Sequence, residues 1–361
     1  MTCAPRKIKV NGMLAVDTNG VVAPVAGGPP KQSPGWKQIL SSVEPFLQGV
    51  GRHLLAQIDE FEPQIISYAQ YALTAQGKQL RPVLVCLSGE AAGELNDAHT
   101  TVAVIIEMVH LATLVHDDII DEADLRRGRP SLAANWGNEV SVLLGDCLFA
   151  HALKLAASFP TPEICRQVAA ATNTVCAGEI LQTRSRGTFD VARSHYFKVL
   201  GMKTAELFAL SCDLGGLLSH ATPIRREALR QYGTALGTAY QLYDDCLDVL
   251  GSEAAAGKTL GADLAKGKLT LPVIIVRDRA TPADQEKLRE WMQNWEPAFL
   301  PDVVGMIDKY DAFTESRNVI QHYLSAARQS LTLLPATEAR LKLAGMTAFL
   351  AEQTEALGVD F

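Results

Sequence analysis

Helical periodicity is the feature of this chain that most constrains its fold. From Pro34 onward, apolar residues recur at three- and four-residue spacing, which is the repeat of an amphipathic helix. Strand patterns are nearly absent, and the strong helix formers Ala and Leu dominate. The sequence therefore predicts an all-α protein, a single large helical bundle. Helices are expected over 36–59, 78–94, 98–122, 139–158, 163–185, 190–219, 224–251 and 263–279, followed after Thr281 by three or four shorter ones that end near Gly358.

Composition and the first residues set the domain organisation. The chain has 361 residues, 48% of them hydrophobic, which is enough to bury one large core and excludes a mainly disordered protein. Residues 1–34 are rich in Pro and Gly and lack the continuous apolar stretch of a signal peptide. We expect a flexible N-terminal arm over 1–34 and one helical domain over 35–361.

Charge and cysteine usage exclude several classes of protein. The formal net charge is −7, whereas binding to a phosphate backbone needs a basic surface, so no nucleic-acid partner is expected. No apolar run reaches the roughly 20 residues of a membrane span, so the protein is not expected to cross a membrane. The seven cysteines form neither a CxxC motif nor a Cys/His cluster, which predicts reduced, buried thiols and a cytoplasmic location.

Two DDxxD motifs lie within apolar helical segments. On a helix, positions i, i+1 and i+4 fall within about 100° of arc, so each motif is predicted to present three carboxylates on one face. Like charges ~4 Å apart repel by roughly 1 kcal/mol in water and about four times that in a protein. Oxygen-only ligands favour Mg²⁺, which binds few carboxylates and shares its other positions with phosphates. The alternative is an acidic solvent-facing patch. The candidate metal ligands are Asp117, Asp118, Asp121, Asp244, Asp245 and Asp248.

Basic residues lie near both motifs in the sequence. Arginine suits bidentate contacts with phosphate, and lysine supplies a point charge. Each residue alone would be an ordinary surface charge, but together they could complete a site for diphosphates. They are Lys78 and Arg81 at a predicted helix start, Arg126 and Arg127 after the first motif, and Lys258 and Lys268 after the second.

Taken together, the motifs identify a resemblance to a known family. GKQLRP, HLATLVHDDIIDEADLRRG, GDCLFA, the Lys203-Thr204 pair, QLYDDCLD and GKLTLP occur in this order. Over roughly residues 36–357 the chain resembles the trans-isoprenyl diphosphate synthases, and among them the long-chain polyprenyl branch. The resemblance implies an all-helical fold with a deep central cavity, a homodimer, and a Mg²⁺-dependent prenyltransferase. Such an enzyme condenses isopentenyl diphosphate with allylic diphosphates to give linear all-trans products.

The resemblance also implies a role for individual residues. The two motifs would hold Mg²⁺, three ions per site. His110, which on its own would be a core histidine, joins the isopentenyl diphosphate site, and His116, Asp146, Glu179 and Gln182 would be structural or supporting residues. The isopentenyl site would comprise Lys78, Arg81, His110 and Arg127. The allylic site would comprise Arg126, Lys203, Thr204, Gln241, Lys258 and Lys268, of which Lys203, Thr204 and Gln241 would also serve catalysis by stabilising a carbocation.

Product length should depend on the residues below the first motif. A helical turn rises about 5.4 Å, so Ala112 and Thr113 lie one turn below Asp117, and Val109 and Met108 lie two. In the family, aromatic residues here close the cavity floor early. Because Ala112 and Thr113 are small, we expect an open floor and a product longer than C20. The exact length, the primer and the downstream pathway stay open.

Two other functions share part of this pattern. A class I terpene cyclase would also use a DDxxD motif, but it would not need the isopentenyl site of Lys78, Arg81 and Arg127. A non-catalytic subunit of a heteromeric synthase would typically lack one of the two motifs. Both motifs and both basic groups are present here, which favours the synthase.

Overall fold

The computed structural model describes residues 34–74, 77–252 and 259–357. The arm predicted over 1–34 lies outside these ranges except for Pro34, and so does Lys258. Within the described ranges the chain forms fifteen α-helices and one hairpin of two-residue strands, and the all-α prediction is confirmed. The strands are β1 (Leu125–Arg126) and β2 (Arg129–Pro130), and the helices are α1 (Trp36–Ala56), α2 (Ile66–Leu73), α3 (Leu80–Ala92), α4 (Asp97–Ile120), α5 (Leu132–Ala157), α6 (Glu163–Ser185), α7 (Arg193–Leu200), α8 (Glu206–Leu218), α9 (Pro223–Leu250), α10 (Ala262–Ala265), α11 (Leu271–Arg279), α12 (Pro282–Gln293), α13 (Leu300–Lys309), α14 (Ala312–Ser330) and α15 (Glu338–Ala356).

The predicted boundaries differ from the structure where the backbone departs from a regular helix. The segment 190–219 is divided by a π-helical turn, Gly201–Ala205, between α7 and α8. Helix α5 starts seven residues earlier than expected, at Leu132, because it continues past a break at Gly137, whose φ is 85°. The short α2 was not predicted. The four helices after Thr281 match the expected number.

Helix α4 lies in the middle of the bundle and contacts α1, α3, α5 and α8. Its residues Val102 to Ile106 are all fully buried, so its apolar surface extends around the whole helix. One apolar cluster of the core surrounds α4, and a second one joins α3, α8, α9, α11, α14 and α15. The position of α4 places the first DDxxD motif at the end of a helix that the core holds on every side.

By length and composition alone, α4 and α5 could each span a membrane. This corrects the expectation that no segment reaches that length. In α4 the bundle buries 67% of the 18-residue apolar stretch, so packing in the core explains why this helix is so apolar. In α5 only 39% of the corresponding stretch is buried, and Leu143 is 64% exposed. Helix α5 therefore has an apolar face that the described residues leave uncovered.

Helices α8 and α9 pack closely because glycine lets their backbones approach. A Cβ atom added at Gly233 of α9 would lie 2.5 Å from the carbonyl oxygen of Phe208 and 2.8 Å from Ala209 Cα. Those atoms are backbone and cannot move without separating the helices. The spacing matters because α9 carries the second DDxxD motif.

We expect Gly233→Ala to lower the free energy of unfolding by about 1–3 kcal/mol through overpacking. The matched control is Gly305→Ala in α13, where a Cβ would meet nothing within 4 Å. The control should raise stability by about 0.5–1 kcal/mol, the difference in helix propensity. Urea unfolding of both variants checks this, and equal stabilisation by both substitutions would contradict the close approach.

Candidate active site

Three aspartates of the two DDxxD motifs face one cavity of about 520 Å³. Asp117 and Asp121 reach it from the end of α4, and Asp244 reaches it from α9. The cavity wall also holds most of the polar residues that the sequence predicted. These are Arg81, His110, Arg126, Arg127, Lys203, Thr204 and Gln241.

The other three aspartates do not line this cavity, which corrects the prediction of three carboxylates on one face. Adjacent helical residues point about 100° apart, so Asp118 and Asp245 are turned sideways. Asp118 is 4% exposed and accepts a hydrogen bond from Arg126 Nε at 2.8 Å, in a separate small cleft. Asp248 is fully buried and accepts the Asp263 backbone N–H at 3.1 Å.

Asp245 is held by neutral partners. The Tyr196 hydroxyl and the Gln241 amide, at 2.8 Å, both donate to its carboxylate. Burial and, after it, the neighbouring Asp263 raise the pKa of Asp245 to about 8, although the two donors oppose the shift. In the metal-free protein Asp245 is therefore mostly protonated at neutral pH.

Asp121 is surrounded by cations. Its carboxylate lies 2.5 Å from Arg186 and 3.1 Å from both Lys266 Nζ and Lys268 Nζ. Burial alone would raise the pKa of Asp121, but Lys268 and Lys266 outweigh it and hold the pKa well below its usual range. Arg186 also donates to the Ile120 carbonyl at 3.0 Å, so it caps the last turn of α4. This side of the cavity has an excess of positive charge.

Lys203 is shared among acceptors on two helices. Its Nζ lies 3.4 Å from the Asp117 carboxylate, donates to Gln182 Oε1 at 3.0 Å and contacts the Glu179 carboxylate. Burial disfavours the charged amine, but Asp117 and Glu179 outweigh it and raise the pKa of Lys203. One ammonium faces two carboxylates here, so this side of the cavity has an excess of negative charge.

The π turn explains how neighbouring residues reach the cavity together. Its wider turn lets both Lys203 and Thr204 point inward, and π turns are frequent at functional sites. Helix α6 fits against the turn because Gly178 has no side chain, since a Cβ there would lie 2.9 Å from the Lys203 backbone nitrogen. The Thr204 hydroxyl donates to Gln241 Oε1 at 2.9 Å, and Gln241 in turn donates to Asp245. The π turn is thus linked to the second motif.

A second group of cations lines the cavity near the start of α3. Burial lowers the pKa of Arg81, whose guanidinium lies 5.1 Å from the Phe208 ring centroid. The Arg127 guanidinium lies close against Gly77, where a Cβ would be 2.3 Å from one of its nitrogens. Burial, together with Arg81 and Arg127, lowers the pKa of His110 well below its usual value, so His110 is neutral. Lys78 of the predicted set is exposed and does not line the cavity.

The predicted chain-length residues are only partly on the cavity wall. Met108 and Ala112 are fully buried and Val109 is 1% exposed, all within the core cluster around α4, so they are corrected to core positions. Thr113 does line the cavity and donates to the His110 carbonyl at 2.6 Å. The apolar part of the wall comes largely from other residues, Leu114, Phe149, Val175, Ile180 and Leu207.

Several cavity residues were missed or assigned only a supporting role. His116 and Glu179 line the wall, whereas Asp146 is 65% exposed. Burial raises the pKa of Tyr240, another wall residue, to about 12. Arg186 and Lys266 had no sequence signal beyond their charge, because their partner Asp121 is 65 and 145 residues away.

The donor set fits hard divalent cations that are shared with a ligand. Among the described residues no group of three His, Cys, Asp or Glu side chains is arranged to hold a metal ion on its own. The carboxylates of Asp117, Asp121 and Asp244 offer oxygen donors to one cavity, and cations stand beside them. Mg²⁺ typically takes one or two carboxylates and completes its shell with phosphate oxygens and water. The arrangement therefore suits metal ions bound together with a phosphate-containing ligand.

Comparison with known proteins gives the family. The family model described as Polyprenyl synthetase matches residues 62–299. Octaprenyl diphosphate synthase of Escherichia coli is 32% identical over 310 residues, which cover 86% of this chain and 96% of that protein. Heptaprenyl diphosphate synthase component 2 of Bacillus subtilis is 33% identical, covering 88% of this chain and 91% of that protein.

A solved structure agrees over almost the whole described chain. The polyprenyl synthase of Caulobacter crescentus, complexed with calcium and isoprenyl diphosphate, superposes with a TM-score of 0.83 at 31% identity. The match covers 89% of this chain and 99% of that one. The chain belongs to the polyprenyl synthetase family. The predicted class, a prenyltransferase of the long-chain polyprenyl diphosphate synthases, is confirmed.

The high pKa of Asp245 makes a prediction about stability. Its ordinary pKa is about 3.9, so between about pH 4 and 8 the folded metal-free protein holds a proton that the unfolded chain has released. Asp245 therefore makes the unfolding free energy fall as pH rises through this range. Between pH 5 and 8, the unfolding free energy of the parent should fall by at least about 1 kcal/mol more than that of Asp245→Asn. Urea unfolding with a chelator present measures both. Asp190→Asn, whose parent carboxylate is 76% exposed, is the control and should leave the slope unchanged.

Proposed function

We propose that this protein condenses isopentenyl diphosphate with an allylic diphosphate and releases linear all-trans products longer than C20. The observation that carries the proposal is one cavity lined by Arg81 and Arg127, by Lys203 beside Asp117, and by apolar residues. Two diphosphates need two cationic sites, and a growing hydrocarbon needs an apolar space. The Escherichia coli and Bacillus subtilis relatives are named for products of eight and seven prenyl units, both longer than C20.

The isopentenyl diphosphate would bind to Arg81, His110 and Arg127. The two guanidinium groups suit the diphosphate oxygens, and the neutral His110 can donate one N–H without adding charge. Lys78 would reach this site only from an exposed position. The allylic diphosphate would bind beside Asp117, Asp121 and Asp244 through Lys203, Lys268 and Arg126. Lys258 completes the proposed set and lies outside the described residues.

Mg²⁺, three ions in the proposed site, would supply charge stabilisation to the departing allylic diphosphate. Asp117, Asp121 and Asp244 would hold the ions directly. Asp118, Asp245 and Asp248 would support them, and Asp245 would have to lose its proton if it bound a metal ion. The Caulobacter crescentus relative is complexed with calcium and isoprenyl diphosphate, which supports the use of a divalent cation in the proposed site.

Protein side chains would orient the reaction without a covalent intermediate. The allylic C–O bond breaks, its electron pair leaves with the diphosphate, and the cation is attacked by the isopentenyl double bond. Loss of a proton to the released diphosphate then forms the new double bond. Lys203 would stabilise the diphosphate charge, and the hydroxyl of Thr204 and carbonyl of Gln241 would orient their dipoles toward the carbocation. The guanidinium groups of Arg81 and Arg127 would hold the isopentenyl diphosphate within reach of the carbocation.

We also propose a homodimer in the cytoplasm, with residues from 35 onward forming one domain that does not cross the membrane. The uncovered apolar face of α5, which includes Val142 and Leu143, supports the dimer because a second copy would bury it. The six cysteines of the described chain are all unpaired, which supports a reducing compartment.

The function is tested by incubating the protein with farnesyl diphosphate, radiolabelled isopentenyl diphosphate and Mg²⁺. We expect labelled polyprenyl diphosphates longer than C20, separated by reversed-phase chromatography after dephosphorylation. A cyclic hydrocarbon formed without isopentenyl diphosphate would indicate a terpene cyclase. An inactive isolated chain that becomes active only with a second, different subunit would indicate a component of a heteromeric synthase.

Product length gives a second prediction that separates wall residues from core residues. Thr113→Phe should fill the cavity below Asp117 and shift the product to shorter chains with turnover retained, because Thr113 lines the wall. Ala112→Phe is the matched control one residue away. It should overpack the fully buried core and lower the unfolding free energy by about 1–3 kcal/mol. Shorter products from Ala112→Phe with unchanged stability would contradict this placement.

A further inference from the structure

Glu179 of α6 is a carboxylate of the cavity wall with an unusual set of partners. Its side chain is 12% exposed, and its carboxylate contacts the Lys203 ammonium and lies 3.8 Å from Arg186. A buried carboxylate is strongly unfavourable unless a cation compensates its charge. Its stability in this position therefore depends on nearby cations.

The cations beside Glu179 are the ones that also neutralise the first DDxxD motif. Lys203 Nζ contacts Glu179 Oε2 and lies 3.4 Å from Asp117 Oδ2. Arg186 lies 3.8 Å from Glu179 Oε1 and 2.5 Å from Asp121 Oδ1. Each of these two cations lies between a motif aspartate and Glu179.

This arrangement conflicts with metal binding at the motif unless the cations move. A divalent ion on Asp117 would repel an ammonium group about 3–4 Å from the same carboxylate by several kcal/mol at an effective dielectric of 20. Lys203 would then have to leave Asp117. Its other hydrogen-bond acceptor, Gln182, is neutral, so Glu179 is the charged acceptor within reach.

We propose that Glu179 is a positioning residue that holds Lys203 and draws it away from Asp117 when the motif binds divalent metal with a diphosphate. The ammonium group stays charged and remains at the cavity wall, where it contacts the diphosphate without competing for the metal ligand. Arg186 is placed to move from Asp121 in the same direction. The inference rests on the proposed function, because it assumes that Asp117 is a metal ligand.

Glu179→Gln tests this with a side chain of nearly the same shape and no charge. Lys203 should then remain on Asp117 and compete with the metal. In isothermal titration of Mg²⁺ into protein with inorganic pyrophosphate, we expect the apparent Mg²⁺ affinity to fall about tenfold. In the elongation assay, kcat should fall and more Mg²⁺ should be needed, with the KM for isopentenyl diphosphate unchanged. Glu179→Asp, which keeps the charge, should restore most of the affinity.

The matched control is Glu163→Gln on the same helix. Glu163 is 47% exposed and pairs with Arg226 at 2.9 Å, outside the cavity. Its substitution should leave Mg²⁺ affinity, kcat and KM unchanged. A fall in Mg²⁺ affinity equal to that of Glu179→Gln would overturn the proposal, because it would show an effect of net charge alone.

A double-mutant cycle with Lys203→Met separates an effect of Glu179 through Lys203 from a direct electrostatic effect of the Glu179 charge on the metal. If Glu179 acts through Lys203, Glu179→Gln should change Mg²⁺ affinity by less than about twofold once Lys203 is absent. Additive losses in the double variant would overturn the proposal. Absence of any Mg²⁺ binding by the parent protein with pyrophosphate would instead contradict the proposed function. Circular dichroism melts of each variant confirm that the comparison is made on folded protein.

Discussion

The structure depends on how charge is balanced at the C-terminal end of α4. The core buries the middle of this helix on every side, yet its last turn carries aspartates at the end where the helix dipole is already negative. Cations from distant parts of the chain compensate this charge. Arg186 follows α6, Lys203 lies in the π turn, and Lys266 and Lys268 follow α10. The need to compensate these aspartates therefore constrains where α6, the π turn and α10 lie around the cavity.

The second motif balances its charge in a different way. Only Asp244 faces the cavity, whereas Asp245 and Asp248 are buried in α9 among hydrogen-bond donors. Asp245 lowers its electrostatic cost by keeping a proton, and it orients Gln241 and, through Gln241, Thr204. The two motifs thus share the DDxxD pattern but have different physical environments: the first is neutralised by cations, whereas in the second Asp245 keeps a proton.

Much of this could be predicted from the sequence, because the relevant signals are local. The helical periodicity gives the fold class, and the DDxxD motifs with Arg81, Arg126, Arg127, Lys203 and Gln241 mark residues that the structure brings to the cavity. The spacing of residues along a helix was less informative about which side chains face the cavity. It placed Asp118 on the cavity face and Ala112 on its wall, although both are turned into their surroundings by about a third of a turn.

What the sequence could not give depends on tertiary contacts. Arg186 and Lys266 are ordinary charged residues until the fold places them on Asp121. The role of Phe149 and Leu207 in the wall depends on how α5 and α8 pack against α4. The π turn has no strong signature either, because its residues fit an α-helix equally well by propensity and pattern.

The π turn has a consequence for how this chain tolerates insertions and deletions. A π turn inserts one extra residue into an otherwise α-helical path, so the faces of α7 and α8 are out of phase by about 100°. Loss of a single residue within Gly201–Ala205 would let the helix continue regularly, but it would rotate one flank relative to the other. Either Lys203 would leave the cavity or the buried face of α8 would leave the core. The length of this segment is therefore fixed as strictly as its residues, although neither end of it is a loop.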